Sequence, residues 1–229
     1  MEKLSEYSDL MLSREQMYQF LGRLYRVEVD RDLLNHMQGM SFPAESSDAE
    51  LGKGYRMLEE YLQKPWEDPI TDLAVDFAKI FLGAGMINTY AAYPYESVYT
   101  SPKRLVMQDA RDQVLALYRG KGLDISDAMD CPEDHISLEL GFMAHLCLEI
   151  QKALNVQDLS AVFVLLKEQL NFLLRHLLNW VPAFCADIEK YAETAFYKAV
   201  AQITGGYLRL ERILLEDLVA EIDPGTHPV

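Results

Sequence analysis

Apolar residues recur at three- and four-residue spacings along most of this chain, and the strict alternation of a half-buried strand is nearly absent. A chain with this pattern buries one stripe of each helix against other helices, because an apolar stripe is unfavourable in water. We therefore predict an all-α fold, a single bundle of roughly ten helices over residues 1–222, followed by a disordered tail at 223–229.

The segment that follows Pro132 is apolar on two faces. One stripe consists of Ile136, Leu140, Met143 and Cys147, and the other of Leu138, Phe142 and Leu146. A helix with two apolar faces is typical of the middle of a bundle, so we predict that this helix is central. Gly141 lies within it and predicts that the backbone of another helix comes close at that point.

Capping residues indicate where several helices begin. The candidate N-caps are Ser13, Asp30, Ser47, Asp68 and Ser101, and the last two precede a proline at the first helical position. The helix from Ser101 is expected to run through Tyr118. The helix after Asp68 is expected to stop at Gly83.

The chain is acidic, with 21 Lys+Arg against 36 Asp+Glu and a net charge of −15. Such a surface repels nucleic-acid phosphates and anionic lipid and attracts basic peptides, although acidity can also serve solubility alone. The 3 cysteines form no CxxC pair, which favours reduced thiols and no metal site. No apolar run reaches the length of a membrane span, and the N-terminus lacks the pattern of a secretory signal. We therefore expect a cytoplasmic protein without stable membrane insertion.

Two segments are candidate sites. Residues 86–100 show no helical stripe, and within them Tyr95, Glu96 and Ser97 belong to a run that interleaves aromatic and polar side chains. This run is either a rigid loop packed on the bundle or the wall of a groove that takes an apolar peptide while Glu96 meets a cation. A second loop, at 121–129, carries Asp124 as part of a negative rim.

The second candidate site begins at Pro132. We predict that Pro132, Asp134 and His135 lie in the first turn of the central helix, with Glu139 four residues beyond His135 on the same face. Helix structure alone explains a proline and acids at a helix start. It does not explain a histidine, because a cation is unfavourable at the N-terminal end of the helix dipole. The dipole should therefore keep His135 neutral unless Asp134 or Glu139 offsets it. A binding role and a structural role both remain open.

An enzyme is the alternative to a binding protein. Ser97, His135 and Asp134 contain the groups of a hydrolytic triad, but Ser97 lacks a G-x-S-x-G elbow and Asp134 is adjacent to the histidine that it would have to orient. A helical-bundle enzyme that uses His135 with a carboxylate therefore stays the second hypothesis.

The two candidate segments together resemble the TorD/DmsD family of cytoplasmic chaperones, which is related to NarJ. The resemblance lies in three blocks: Asp76, Phe77, Phe81, Gly83 and Gly85 with residues 94–99; Pro132, Asp134, His135, Glu139, Leu140, Phe142 and Met143; and Phe172, His176, Leu177, Trp180, Pro182, Phe184, Phe196 and Tyr197.

This resemblance implies an all-helical chaperone rather than an enzyme. Its partners would be the twin-arginine signal peptide and the catalytic subunit of a molybdopterin oxidoreductase, held until the cofactor is inserted. It also implies that Asp134 and His135, with Glu96 and Ser97 nearby, line the peptide-binding region. We expect no cofactor, although the family resemblance allows weak guanine-nucleotide binding. The oligomeric state is either a monomer or a helix-swapped dimer.

Overall fold

The computed structural model describes residues 2–43, 45–85, 91–123 and 131–223. Within these residues the elements are α1 (Glu2–Arg26), α2 (Arg31–Gln38), α3 (Ala49–Gln63), α4 (Pro69–Leu82), α5 (Glu96–Thr100), α6 (Asp109–Gly120), α7 (Ile136–Asn155), α8 (Leu159–Phe172), a π-helical turn (Leu173–Leu177), α9 (Val181–Tyr191) and α10 (Ala195–Ile222). The prediction of an all-α bundle is confirmed. Asp124 and the tail at 224–229 lie outside the described residues.

The helix with two apolar faces, α7, lies in the middle of the bundle. It packs mainly against α1 and α8, and residues on both of its predicted stripes are buried, including Leu140, Met143, Phe142 and Leu146. The helix α10, which is longer than α7, packs against α3, α9 and α8. None of the helices in the described part of the chain has the length and hydropathy that a bilayer crossing requires.

The close approach of helix backbones occurs at other glycines than the one predicted. No atom outside its own helix lies within 4 Å of a Cβ built on Gly141, so the prediction at that position was wrong. A Cβ on Gly54 of α3 would instead lie 2.9 Å from the Ile203 backbone nitrogen, and one on Gly206 of α10 would lie 2.7 Å from that of Leu51. These two glycines allow α3 and α10 to cross in near contact.

Two of the predicted caps are confirmed and three helix starts were wrong. Asp30 and Asp68 cap α2 and α4, and Gly83 ends α4 with φ 69°. Ser13 lies inside α1, where its hydroxyl donates to the Asp9 carbonyl, because the apolar face of α1 continues on both sides of it. The cap of α3 is Asp48 rather than Ser47, since the Asp48 carboxylate accepts from the amides of residues 50 and 51.

The helix predicted from Ser101 to Tyr118 begins only at Asp109. Arg104 and Met107 have φ of 52° and 58°, which is left-handed backbone that ends a helix. Residues 101–108 therefore form turns, and Leu105, Val106 and Met107 are exposed on them.

A buried ion pair joins the two ends of the chain. The guanidinium of Arg14 on α1 donates to both carboxylate oxygens of Glu211 on α10, at 3.0 Å from Nε and 2.7 Å from Nη2. The hydroxyl of Tyr18 also donates to Glu211, and Arg14 donates to Gln169 on α8 at 2.8 Å. Because both charged side chains are almost wholly buried, each depends on the other for its stability in the core.

Candidate functional site

The two candidate segments, far apart in the sequence, meet through their backbones. Tyr95 and His135 form an isolated antiparallel bridge, in which the Glu96 amide donates to the Asp134 carbonyl at 3.0 Å and the Ile136 amide donates to the Pro94 carbonyl at 2.9 Å. The rings of Tyr95 and His135 pack edge to face with centroids 5.1 Å apart. The start of α7 and the segment before α5 therefore form one unit.

Asp134 explains the helix that the sequence did not predict within residues 86–100. Its Oδ2 accepts from the Ser97 amide at 2.8 Å, so a carboxylate from a distant segment satisfies a free amide in the first turn of α5. The hydroxyl of Ser97 accepts from the Gln108 amide at 3.0 Å. The Ser97 hydroxyl, the Asp134 carboxylate and the His135 ring each accept a hydrogen bond from a backbone amide. The described residues therefore contain no relay from Ser97 through His135 to Asp134.

The central helix begins at Ile136 and not in the turn at Pro132, because residues 94–96 engage the backbone at 134–136. His135 is the N-cap, and its Nδ1 accepts from the Ser137 amide at 3.1 Å. Burial, assisted by the charge of Arg26, lowers the pKa of His135 to about 3. The ring is therefore neutral, as predicted, but burial rather than the helix dipole is the main cause.

Two further buried acids stand behind this unit. Glu96 accepts from His176 Nδ1 in the π-helical turn and from Asn179 Nδ2, each at 3.0 Å. Glu139 accepts from Trp180 Nε1 at 3.0 Å, and its Oε1 has no hydrogen-bond partner in the described structure. These bonds fix α5 and α7 to the connection between α8 and α9.

Burial dominates the electrostatics of the two acids on the α7 side. It raises the pKa of Asp134, against the opposing effect of hydrogen bonds from Ser97. Burial and the nearby carboxyl of Glu96 raise the pKa of Glu139 well above its ordinary value. A protonated Glu139 could use its unpartnered oxygen to donate to Glu96, which makes the neutral acid the favoured form.

We expect the Glu139→Gln variant to become more stable, relative to wild type, as pH rises. The folded protein holds the Glu139 proton more tightly than the unfolded chain, so the wild type loses this contribution as pH increases above about 4.5. Glutamine stays neutral, so the difference in the free energy of unfolding should grow by up to about 1.4 kcal/mol per pH unit as pH rises above about 4.5, until the pH reaches the pKa of Glu139 in the folded protein. Urea unfolding at several pH values measures it.

The matched control is Glu149→Gln, an acid on the same helix whose pKa is lowered by its hydrogen bond with Lys152. Its stability difference from wild type should change little over the same interval, because wild-type Glu149 is ionised throughout. A pH-independent difference for Glu139→Gln would contradict the assignment of a neutral Glu139.

A pocket of about 270 Å³ opens in front of the two joined segments. It is lined by Tyr25, Arg26, Val27, Phe77, Phe81, Leu82, Pro94, Tyr95, Cys131 and His135, and we call it the Tyr95 pocket. Leu82 and Val27 are exposed at its rim, whereas Phe77 and Phe81 are buried at its base. The guanidinium of Arg26 donates to the Cys131 sulfur within it. The pocket therefore presents an apolar surface beside a positive charge.

The structure separates the predicted site residues into two groups. Tyr95 and His135 line the pocket, whereas Glu96, Ser97, Asp134 and Glu139 are buried behind it. Pro132 is half-buried beside His135, and Asp124 lies outside the described residues. The sequence did not single out Arg26, Leu82 or Asn179, because their contact with the site arises only from the packing of α1, α4 and the connection between α8 and α9.

Comparisons with known proteins show which family the chain belongs to. The sequence model of the family described as nitrate reductase delta subunit matches residues 44–186, a range that includes both candidate segments. A chaperone protein TorD from Vibrio cholerae serotype O1 is 30% identical over 155 residues, which cover 68% of this chain and 67% of that protein. The chain belongs to the TorD family. Another TorD, from Shewanella pealeana, is 26% identical over 215 residues, covering 89% of this chain and 90% of that protein.

Membership of the TorD family decides between the two classes of function left open by the sequence. The family is one of chaperones, so the chain is a chaperone and not an enzyme that uses His135. The matched region runs from the start of α3 into α9. It therefore includes the Tyr95 pocket wall and the acids behind it.

Proposed function

We propose that the chain is a cytoplasmic chaperone that binds the twin-arginine signal peptide of a molybdopterin oxidoreductase and holds the enzyme until its cofactor is inserted. The observation that carries the proposal is the Tyr95 pocket, a cavity with apolar side chains beside polar ones that is built from both candidate segments in a member of a chaperone family. The apolar middle of a signal peptide has the chemistry to fill such a cavity.

In this proposal the predicted site residues have two different roles. Tyr95 and His135 touch the peptide, together with Leu82 at the rim. Asp134 and Glu96 hold the wall of the pocket through their bonds to α5 and the π-helical turn. They do not receive the arginines of the peptide, because they are buried and already hydrogen-bonded within the chaperone.

The test compares two serine variants, one at Leu82 and one at Val164, because these two apolar side chains are almost equally exposed. Leu82 at the pocket rim is 63% exposed and Val164 on α8 is 62% exposed. Leu82→Ser should weaken binding of a synthetic twin-arginine leader about tenfold, since burying a leucine side chain contributes about 1.5–3 kcal/mol. Val164→Ser should bind like wild type. Isothermal titration calorimetry gives both affinities, and equal affinities for the two variants would reject this pocket as the binding site.

A further inference from the structure

A second pocket lies at the other end of α4. Its volume is about 420 Å³, and its lining consists of Tyr61, Trp66, Asp72, Val75, Asp76, Glu193, Thr194 and Ala195. We call it the Trp66 pocket. The end of α3, the connection before α4, the first half of α4 and the start of α10 form its walls.

An aromatic plate forms one wall of the Trp66 pocket. The ring of Trp66 stacks on that of Tyr61 with centroids 4.7 Å apart, and the indole nitrogen donates to the Tyr61 carbonyl at 2.8 Å. Trp66 is nevertheless 41% exposed, and Val75 opposite is 59% exposed. Tyr61 stacks on the indole ring and Lys64 lies over it, so the plate is held in position while part of Trp66 stays exposed.

Carboxylates supply the polar part of the lining. Asp72 is exposed and makes no side-chain hydrogen bond or ion pair with any described residue. Glu193 is exposed and pairs with Lys79 at the surface, a contact that leaves oxygen positions open to a second cation. Asp76 is buried and accepts from the Thr194 amide at 2.8 Å, so it adds negative charge without being available for contact.

An unused hydroxyl lies close to the same residues. The side chain of Tyr197 is wholly buried, and its hydroxyl has no partner in the described structure. Burial, followed by the charge of Asp76, raises the pKa of Tyr197. A ligand with several N–H donors would find exposed acceptors at Asp72 and Glu193.

The positive charges nearby do not fill the pocket. Lys79 is committed to Glu193, and the Nζ of Lys64 lies 6.0 Å from the centroid of the Trp66 ring. Lys64 lines a different pocket, on the side of Leu34 and Gln38. Carboxylates next to an indole ring match an arginine side chain, whose planar guanidinium both stacks on aromatic rings and donates to carboxylates.

Two exposed apolar residues of α4 lie at the two pockets, with Lys79 between them on the same face of the helix. Val75 lines the Trp66 pocket and Leu82 lines the Tyr95 pocket. Because they are seven residues apart, they lie on the same face of the helix at a separation of about 10 Å. That distance equals roughly three residues of an extended peptide.

We propose that the Trp66 pocket binds an arginine side chain of a peptide whose apolar part continues along α4 into the Tyr95 pocket. The inference rests on the proposed function for the identity of that peptide. The two pockets divide recognition, with the cationic residue against Asp72 and Glu193 and the apolar residues against Leu82 and Tyr95. Arg26 in the Tyr95 pocket repels arginine, which favours this orientation of the peptide over the reverse.

The test uses two synthetic peptides, acetyl-Ser-Arg-Arg-Gly-Phe-Leu-amide and the same peptide with citrulline in place of both arginines. With wild-type protein, the arginine peptide should shift the ¹H–¹⁵N signal of the Trp66 indole, which a Trp66→Phe variant identifies. The buried Trp180 signal should stay in place. The double variant Asp72→Asn/Glu193→Gln should bind the arginine peptide about tenfold more weakly and the citrulline peptide as wild type does.

A matched control separates local recognition from net charge. Glu6→Gln/Asp217→Asn removes two exposed acids near the end of α10 that is far from the pocket, about 30 Å along that helix. This control should bind the arginine peptide like wild type. An equal loss in both double variants, or an unmoved Trp66 signal, overturns the inference. If only Leu82→Ser loses binding, the proposed function stands and the arginine pocket is rejected; if neither Leu82→Ser nor the pocket variant loses binding, both are rejected.

Discussion

Arg14→Met is expected to lower the free energy of unfolding by about 3–5 kcal/mol, the cost of leaving one member of a buried ion pair without its partner. Glu211 would stay buried in the core without the guanidinium that pairs with it, while the Tyr18 hydroxyl still donates to it. Gln169 would also lose the guanidinium that it accepts from. Guanidinium chloride unfolding followed by circular dichroism measures the loss.

A second substitution shows whether the uncompensated charge is the cause. In Arg14→Met/Glu211→Gln the buried charge is gone, while the amide oxygen at position 211 still accepts from Tyr18. This double variant should recover at least half of the stability lost in Arg14→Met. A double variant no more stable than Arg14→Met would assign the loss to packing around the arginine stem instead.

Gly206→Ala is expected to destabilise the protein by about 3 kcal/mol, at the upper end of the range for overpacking. The added methyl group would lie 2.6 Å from the Leu51 Cβ and 2.7 Å from its backbone nitrogen. Backbone atoms cannot rotate away, so α3 and α10 would have to separate. Thermal and urea unfolding both report this loss.

Gly141→Ala is the matched control, since Gly141 also lies inside a helix but is exposed and has open space around it. Alanine should stabilise α7 there by about 0.5–1 kcal/mol, the difference in helix propensity. Similar destabilisation by both substitutions would mean that the loss at Gly206 is not specific to the helix crossing and that helix propensity does not govern Gly141.

The sequence predicts the helical architecture well where it depends on periodicity. The two apolar stripes of α7 indicate its central position because that pattern records burial directly. Predictions from single residues were less successful. Positions 141 and 206 are both glycines inside helices, and only the crossing of α3 and α10 in three dimensions makes Gly206 different from Gly141. Ser13 resembles a cap but lies in a helix whose packing continues past it.

For the candidate site, the sequence indicates the residues but not their separate placements. Asp134 and His135 are adjacent, yet one carboxylate points to the amide of Ser97 while the imidazole lines a pocket. This separation follows from the backbone bridge with Tyr95, a contact between distant residues that no local pattern encodes. The Trp66 pocket was missed for the same reason, since α3, α4 and α10 each supply part of it.

The bonds of Glu96 set an order of events during synthesis of the chain on the ribosome. Glu96 emerges before both of its side-chain partners, His176 and Asn179, which follow 80 and 83 residues later. Until His176 and Asn179 have been translated, the carboxylate of Glu96 lacks these partners and the wall of the Tyr95 pocket lacks its support. The wall of the Tyr95 pocket is therefore complete only after Asn179 has been translated, well after both of the segments that form the pocket.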